Sequence, residues 1–193
     1  MFPRRDPWAR LARQAWRANP NFPPAVLAHA AALRRRGNER EAEHVVLEAW
    51  RAAPHPDLAA FLLDEARGPR ERLQAAARLS NVHAEHVETQ VLLGRLSLEA
   101  GELRDARYHA ERARGLETPT RRVHVLLADV TAAEGRDPAT ELRAAADAPA
   151  DPGWHCGQCG TAQAAWHPVC PACHAPGRMV WGVGQQRRLL AAG

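Results

Sequence analysis

All four cysteines of this chain fall in its last quarter, as Cys156-Gly-Gln-Cys159 and Cys170-Pro-Ala-Cys173 with ten residues between the pairs. A Cys-x-x-Cys pair lets both sulfurs reach one ion while backbone N–H groups of the loop point at them, and two such pairs complete a tetrahedral set. Cys156, Cys159, Cys170 and Cys173 are therefore the predicted metal ligands. Four protein ligands leave no coordination position for water or substrate, so the site is expected to be structural rather than catalytic. Zinc is favoured because it is redox-inert and suits a compact ribbon, although thiolate ligation alone admits iron as well. Such binding supplies an apparent stabilisation of about 10–16 kcal/mol, which a module of about 30 residues needs in place of a large core.

Other chemistries of the same residues fit less well. Disulfides require an oxidising compartment, and the opening Met-Phe-Pro-Arg-Arg-Asp is not followed by the apolar stretch of an export signal. A redox dithiol at Cys156 and Cys159 lacks the flanking strand and helix of that fold and leaves the second pair unexplained. The dipeptide Cys170-Pro171 admits a heme-responsive reading, but a proline shaping the second metal loop is the simpler account. His155, His167 and His174 flank the cysteines as substitute ligands. Gly160 suits the left-handed turn after the first pair, whereas His174 occupies the equivalent place after the second and is the residue most adverse to that geometry. Trp154, Trp166 and Trp181 are expected to form the ribbon's hydrophobic shell and to dock it onto the last helix pair.

The elements that must carry this module come next. Ala148-Pro-Ala-Asp-Pro-Gly153 ends helices and reads as a linker. It divides the chain into a helical array over 1–150, a ribbon over 151–183 and a tail over 184–193. Upstream, Ala15-Trp16-Arg17-Ala18-Asn19-Pro20 returns after 34 residues as Ala49-Trp50-Arg51-Ala52-Ala53-Pro54, and helix-breaking glycines recur at Gly37, Gly68, Gly101 and Gly135. That period is the length of a helix-turn-helix repeat. Prolines at 20, 23, 24, 54, 56, 119 and 138 lie between periodic segments or in first turns, where a missing N–H costs little. Helices are expected near 6–18, 24–36, 39–53, 56–66, 69–79, 85–100, 103–115, 119–134 and 138–147. Two antiparallel helices that cross closely need small residues, and Ala30, Ala42 and Ala49, then Gly94, Ala106 and Ala113, supply them. The pattern degenerates around Gly68, where Phe61 and Leu73 fill those positions, and around Gly135, where Asp129 and Thr140 do. Trp50 lies on a second helix, so its counterpart Trp16 should too, and the chain is expected to begin in mid-repeat as the C-terminal part of a longer protein.

This spacing resembles the tetratricopeptide repeat family over 23–54 and 87–119, and the fold class expected is an all-α helical-hairpin solenoid with a small C-terminal four-cysteine zinc ribbon of rubredoxin-like form. The order of parts, with Pro54-His55-Pro56-Asp57-Leu58-Ala59 and the ending from Asp151-Pro-Gly-Trp-His-Cys156 through Trp166, Cys170-Pro-Ala-Cys173 and Trp181, resembles the HemY family in its alphaproteobacterial form. That resemblance covers essentially the whole chain. It implies tetratricopeptide proteins associated with heme biosynthesis and anchored at the inner membrane by transmembrane helices that this sequence does not contain. Repeats followed by Cys-x-x-Cys-Gly and Cys-Pro-x-Cys are also similar to the lipopolysaccharide assembly protein B family, an adaptor controlling turnover of a membrane enzyme.

Charge gives little direction. All 26 basic residues are Arg, with no Lys and no Ile, a codon-usage signature; the formal net charge is only +4, with ten Arg against five acids in 1–55 and nine against eleven in 56–118. A nucleic-acid-binding ribbon would need a basic surface, yet it contains Arg178, with Arg187 and Arg188 only in the tail. No phosphate loop, nucleophile elbow or carboxylate–His constellation marks an enzyme. His29 reads as a helix-packing residue, and His44, His86, His109 and His124 as surface or core. The function expected is a non-enzymatic scaffold of cytoplasmic location, with the cytoplasmic face of the inner membrane as the alternative that the family resemblance implies. Its groove, lined by the first helix of each pair, takes a protein or peptide, with Arg34, Arg95, Arg121 and Arg122 as candidates to meet carboxylates.

Overall fold

The computed structural model describes residues 7–63 and 68–184. Position 6 of the first expected helix, 64–66 of the fourth and 185–193 of the tail, including Arg187 and Arg188, lie outside the described residues. The helices among the described residues are α1 (Pro7–Ala18), α2 (Pro23–Arg35), α3 (Glu39–Ala52), α4 (Pro56–Leu62), α5 (Pro69–Val82), α6 (Val87–Glu99), α7 (Leu103–Leu116), α8 (Arg121–Ala133) and α9 (Ala139–Asp147). Three strands follow, β1 (Gly153–Cys156), β2 (Ala162–Gln163) and β3 (Met179–Gly182), in the order β2-β1-β3 with both pairings antiparallel. The expected architecture, helical hairpins followed by a small ribbon, is the one observed. No helix of the described residues is long and apolar enough to cross a membrane.

The boundaries have local causes. Gly37, Gly101 and Gly135 have φ of 78°, 78° and 74°. Each donates its N–H three residues back, and the following residue reaches five back: Asn38 to Leu33 O at 3.0 Å, Glu102 to Ser97 O at 2.8 Å and Arg136 to Thr131 O at 3.0 Å. This is the Schellman closure, which satisfies the last carbonyls of the first helix and needs a left-handed residue at its centre. Gly68 breaks the series. It is the N-cap of α5 in an extended conformation, φ −67° and ψ 162°, so its recurrence in sequence hid a different job. Prolines stand in the first turn of α2, α4 and α5. Helix α4 and helix α6 are capped by histidines: His55 Nδ1 accepts from Asp57 N and His86 Nδ1 from Glu88 N, both at 3.1 Å. Helix α5 runs past 79 to Val82 because Leu79 is fully buried and Val82 packs on the same core.

Each helix packs on its neighbours in sequence, and α2 with α4, α3 with α5 and α6 with α8 touch one helix further on, the stacking of a solenoid. One core joins Val26, Ala30, Val46, Trp50, Leu58 and Leu79; a second joins Ala106, Ala110, Val123, Leu126 and Val130. Trp16 packs against the first core from α1, and α1 rests on α2 as α3 does, so the repeated Trp marks equivalent second helices. In the last pair the small residues are Ala128 and Ala145, 2% and 5% exposed, next to but not at the Asp129 position singled out by period.

Gly94 shows why small residues recur. A Cβ there would lie 2.8 Å from Leu126 Cδ2 and 3.5 Å from the Ala110 backbone nitrogen, and Leu126 is fully buried with little room to yield. Gly94→Val is expected to destabilise the array by about 1–3 kcal/mol through overpacking, read as a lower urea midpoint; an unchanged midpoint would mean that α6 and α7 do not cross closely there.

Candidate metal centre

The cysteines sit on two loops built alike. Cys156 ends β1, and its loop closes with Gly160 N donating to Cys156 O at 2.8 Å and Cys156 N to Thr161 O at 3.0 Å. The second loop repeats both bonds, His174 N to Cys170 O at 2.9 Å and Cys170 N to Ala175 O at 3.0 Å. Gly160 has φ 77° and His174 φ 58°. His174 thus takes the left-handed conformation that glycine takes in the first loop, and its side chain is exposed, so the residue most adverse to the geometry is accommodated by it.

The two loops face each other and bring all four sulfurs within 4.8 Å of one another. Cys156 Sγ lies 3.7 Å from Cys173 Sγ, and Cys159 Sγ lies 3.8 Å from Cys170 Sγ. A tetrahedron with metal–sulfur bonds of about 2.3 Å has sulfur–sulfur edges of about 3.8 Å. The donor set and its spacing therefore fit a tetrahedral thiolate-bound ion. All four cysteines are free thiols. His155, His167 and His174 do not join the cluster among the described residues; the His155 ring instead lies 3.3 Å from Gly153 O.

The electrostatics show the conflict that an ion would remove. The Cys159 backbone N–H, working against burial and helped by that of Gln158, lowers the Cys156 thiol. The Thr161 hydroxyl, 3.2 Å from Cys159 Sγ, pulls Cys159 down to about 6. At Cys173 the Ala175 backbone N–H favours the thiolate, but burial and the three neighbouring sulfurs outweigh it and push the group up to about 12. Four adjacent thiolates repel one another unless a cation shares them.

The ribbon does not stand apart from the array. Trp154 is 3% exposed, and its Nε1–H donates to Asp57 Oδ2 at 3.1 Å. The His55 ring packs 4.1 Å from that of Trp181 and 5.4 Å from that of Trp154. Phe22, just before α2, meets Trp154 and Trp166 edge-on at 6.4 and 5.7 Å. The shell tryptophans thus dock the ribbon on the N-terminal ends of α2 and α4, and the expected docking on the last helix pair is corrected. That pair instead holds the connecting segment, which is no loose linker: Arg121 N donates to Pro149 O at 3.0 Å and Arg122 N to Asp151 Oδ1 at 2.9 Å, closing the open amides of α8.

Two of the groove arginines are engaged within the array. Arg122 pairs with Glu88, one contact at 2.9 Å, and Arg34 pairs with Glu39 at 3.2 Å while lying 3.7 Å over the Phe61 ring. Arg95 and Arg121 are exposed. His29 is buried against Trp16, as its packing role predicts, with ring centres 4.7 Å apart; His109 and His124 meet Gln90 and Glu141. The joint residues Phe22, His55 and Asp57 were not identified as such by period or spacing. One signal was available: His55-Pro56-Asp57 and His86-Val87-Glu88 repeat a His two places before an acid at the start of first helices.

No protein-family model matches the chain, and no curated protein matches it. Among solved structures it is similar to one titled "Crystal structure of MamA", at 16% sequence identity over 72% of this chain and 85% of that one, with a TM-score of 0.47. The fold assignment rests on the helix pairing described above.

Two outcomes follow from the joint. Trp154→Phe keeps an aromatic ring but leaves the Asp57 carboxylate without its donor, and is expected to lower stability by about 1 kcal/mol, with faster amide exchange confined to 151–183; protection equal to wild type would remove this bond from the joint. Burial, opposed by the charges of Asp57 and Glu88, holds His55 below the ordinary histidine value. The folded state then binds fewer protons than the unfolded chain, so the stability contributed by the neutral ring is complete above about pH 6.5 and is lost as pH falls toward the lowered value. His55→Asn, which retains an N-cap acceptor, should flatten that acid-side decline in denaturation midpoints between about pH 7.5 and 5; an unaltered slope would place the titration elsewhere.

Proposed function

We propose that the chain is a non-enzymatic protein-interaction scaffold, with zinc bound by Cys156, Cys159, Cys170 and Cys173 in a structural role. The observation that carries this reading is an open groove of about 610 Å³ walled by Trp16, Pro20 and Asn21 on one side and by Glu41, His44, Val45, Glu48, Ala49 and Ala52 of α3 on the other. Its floor is mainly apolar and its rim is polar, including the exposed Arg51–Glu48 ion pair, the distribution a bound peptide requires. The groove lies along second helices, not along the first helices where the arginine candidates stand. An ion held by four thiolates has no open position for substrate, which disfavours catalysis at the ribbon.

The finer reading is an association with heme biosynthesis at the cytoplasmic face of the inner membrane. It is supported by the resemblance to the HemY family, and the two ends of that resemblance, His55-Pro56-Asp57 and Trp154 with Trp181, are in contact. An adaptor of the lipopolysaccharide assembly protein B kind draws on the same parts. Nucleic-acid binding is disfavoured because the ribbon contributes only Arg178 to a basic surface.

Protein purified without added metal is expected to carry one zinc per chain by elemental analysis and native mass spectrometry. Cys156→Ser and Cys170→Ser should each lose it while the helical circular dichroism of the array persists. Iron, paired disulfides or heme held at Cys170 would overturn the zinc assignment. For the scaffold, enzymes of heme biosynthesis should co-purify from the native host with the wild type and be depleted with Ala52→Arg, an exposed groove residue; equal recovery would remove the groove from the reading.

A further inference from the structure

A second, smaller cavity opens beside the groove. It has a volume of about 200 Å³ and is lined by Ala9 and Arg13 of α1, His29, Ala32, Leu33 and Arg36 of α2 and its end, and Asn38 and Glu41 at the start of α3. Glu41 belongs to both cavities, and the stacked pair of Trp16 and His29 separates them, Trp16 lining the groove and His29 the smaller space. An apolar channel and a polar pocket therefore adjoin.

Three of the pocket's polar groups lack a hydrogen-bond or ion-pair partner at a key atom. His29 is 5% exposed, yet its Nδ1 is buried with no hydrogen-bond partner among the described residues. A buried polar atom left unpaired costs free energy, and in a native fold it calls for an explanation such as a bound group. Arg13 and Arg36 have no ion-pair partner among the described residues, whereas Arg34, at the end of the same helix α2, pairs with Glu39. Asn38 is the N-cap of α3 without capping through its side chain; its amide reaches Glu41 at 3.5 Å. Burial, then the charge of Arg13, lower His29, so the ring is neutral near neutral pH.

We infer that this pocket binds the carboxylate of a peptide whose neighbouring apolar residues lie in the Trp16 groove. Two guanidinium groups and one carboxylate leave a net charge of +1, which a singly charged carboxylate neutralises and a phosphate dianion overfills. Arginine forks match a carboxylate with two N–H donors each. Glu41 and Asn38 line the same cavity and offer an acceptor and a donor to the peptide backbone. The volume suits one acidic head group rather than a nucleotide or cofactor. An acidic side chain and a peptide C-terminus present the same chemistry. This inference deepens the scaffold reading and rests on it.

The test is titration calorimetry of the full zinc-loaded chain with four probes: acetyl-Leu-Leu-Asp-amide, acetyl-Leu-Leu-Ala with a free C-terminus, neutral acetyl-Leu-Leu-Asn-amide and inorganic phosphate. Ring resonances of His29 are followed in parallel by NMR. At least one carboxylate peptide should bind at least about tenfold more tightly than the neutral one, as loss of a charge-assisted contact implies, and should move the His29 resonances. Whichever carboxylate peptide binds identifies the source of the group. Arg13→Gln with Arg36→Gln should erase the preference, whereas Glu41→Gln should strengthen carboxylate binding. All three residues are exposed, and thermal melts confirm that the variants fold. Equal binding of the neutral peptide overturns the pocket while leaving the groove; tighter binding of phosphate, or unmoved His29 resonances, overturns it too. Binding of none of the peptides overturns both the pocket and the groove.

Discussion

Four sulfur atoms within 4.8 Å of one another impose a charge problem that the surrounding chain cannot solve alone. Loop amides are aimed at the sulfurs and favour thiolates, yet the same proximity drives Cys173 up to about 12. A divalent ion at the centre would remove the repulsion and turn each amide contact into a stabilising one. The module around it has little else to rely on. Its strands span four, two and four residues, and its buried core is Trp154, Met179 and two of the cysteines themselves. A core of that size does not hold a chain segment without a staple, so the geometry of the ribbon follows from the sulfur cluster.

What the ribbon touches gives it a role in the array. Trp154 serves two environments at once, its ring in the ribbon core and its N–H on Asp57 of the array. The segment 148–152 closes the start of α8, Glu88 ties α6 to that point through Arg122, and His55 with Phe22 carries the contact on to α4 and α2. A solenoid gains stability mainly between neighbouring units; here a segment distant in sequence spans the starts of several first helices. The coupling reaches the groove as well, because Phe22 meets the ribbon while Asn21 beside it lines the groove. The sulfur cluster and the groove thus belong to one packed structure.

Most helix limits were legible because local chemistry sets them. Proline in a first turn and glycine in a Schellman closure act within a few residues, so Pro23, Pro56, Gly37, Gly101 and Gly135 mark boundaries whatever the rest of the chain does. Period alone was less secure. Gly68 recurs on schedule but caps a helix start, and the small residues of the last pair are Ala128 and Ala145, a register that depends on how α8 and α9 meet. The groove was expected on the first helices from the logic of the repeat; a cavity also opens between α1 and α3, where Trp16 lies beside Ala49 and Ala52.

By itself the sequence pointed to the atoms of the sulfur cluster, since two Cys-x-x-Cys pairs ten residues apart can converge on one ion, and to the succession of helices. It did not determine where the ribbon rests. A run such as Ala148 to Gly153 reads as a spacer because prolines and alanines exclude regular structure, and nothing local reports that Asp151 and Pro149 find the open amides of α8. Docking of Trp154 on Asp57 joins residues 97 apart, and the pairing depends on the path of the whole array between them. Tertiary structure alone decided that the ribbon lies on α2 and α4, that His55 is a buried neutral cap, and that Arg13, Arg36 and His29 surround one cavity, because each of these is a meeting of helices whose relative placement is fixed by packing over the full core.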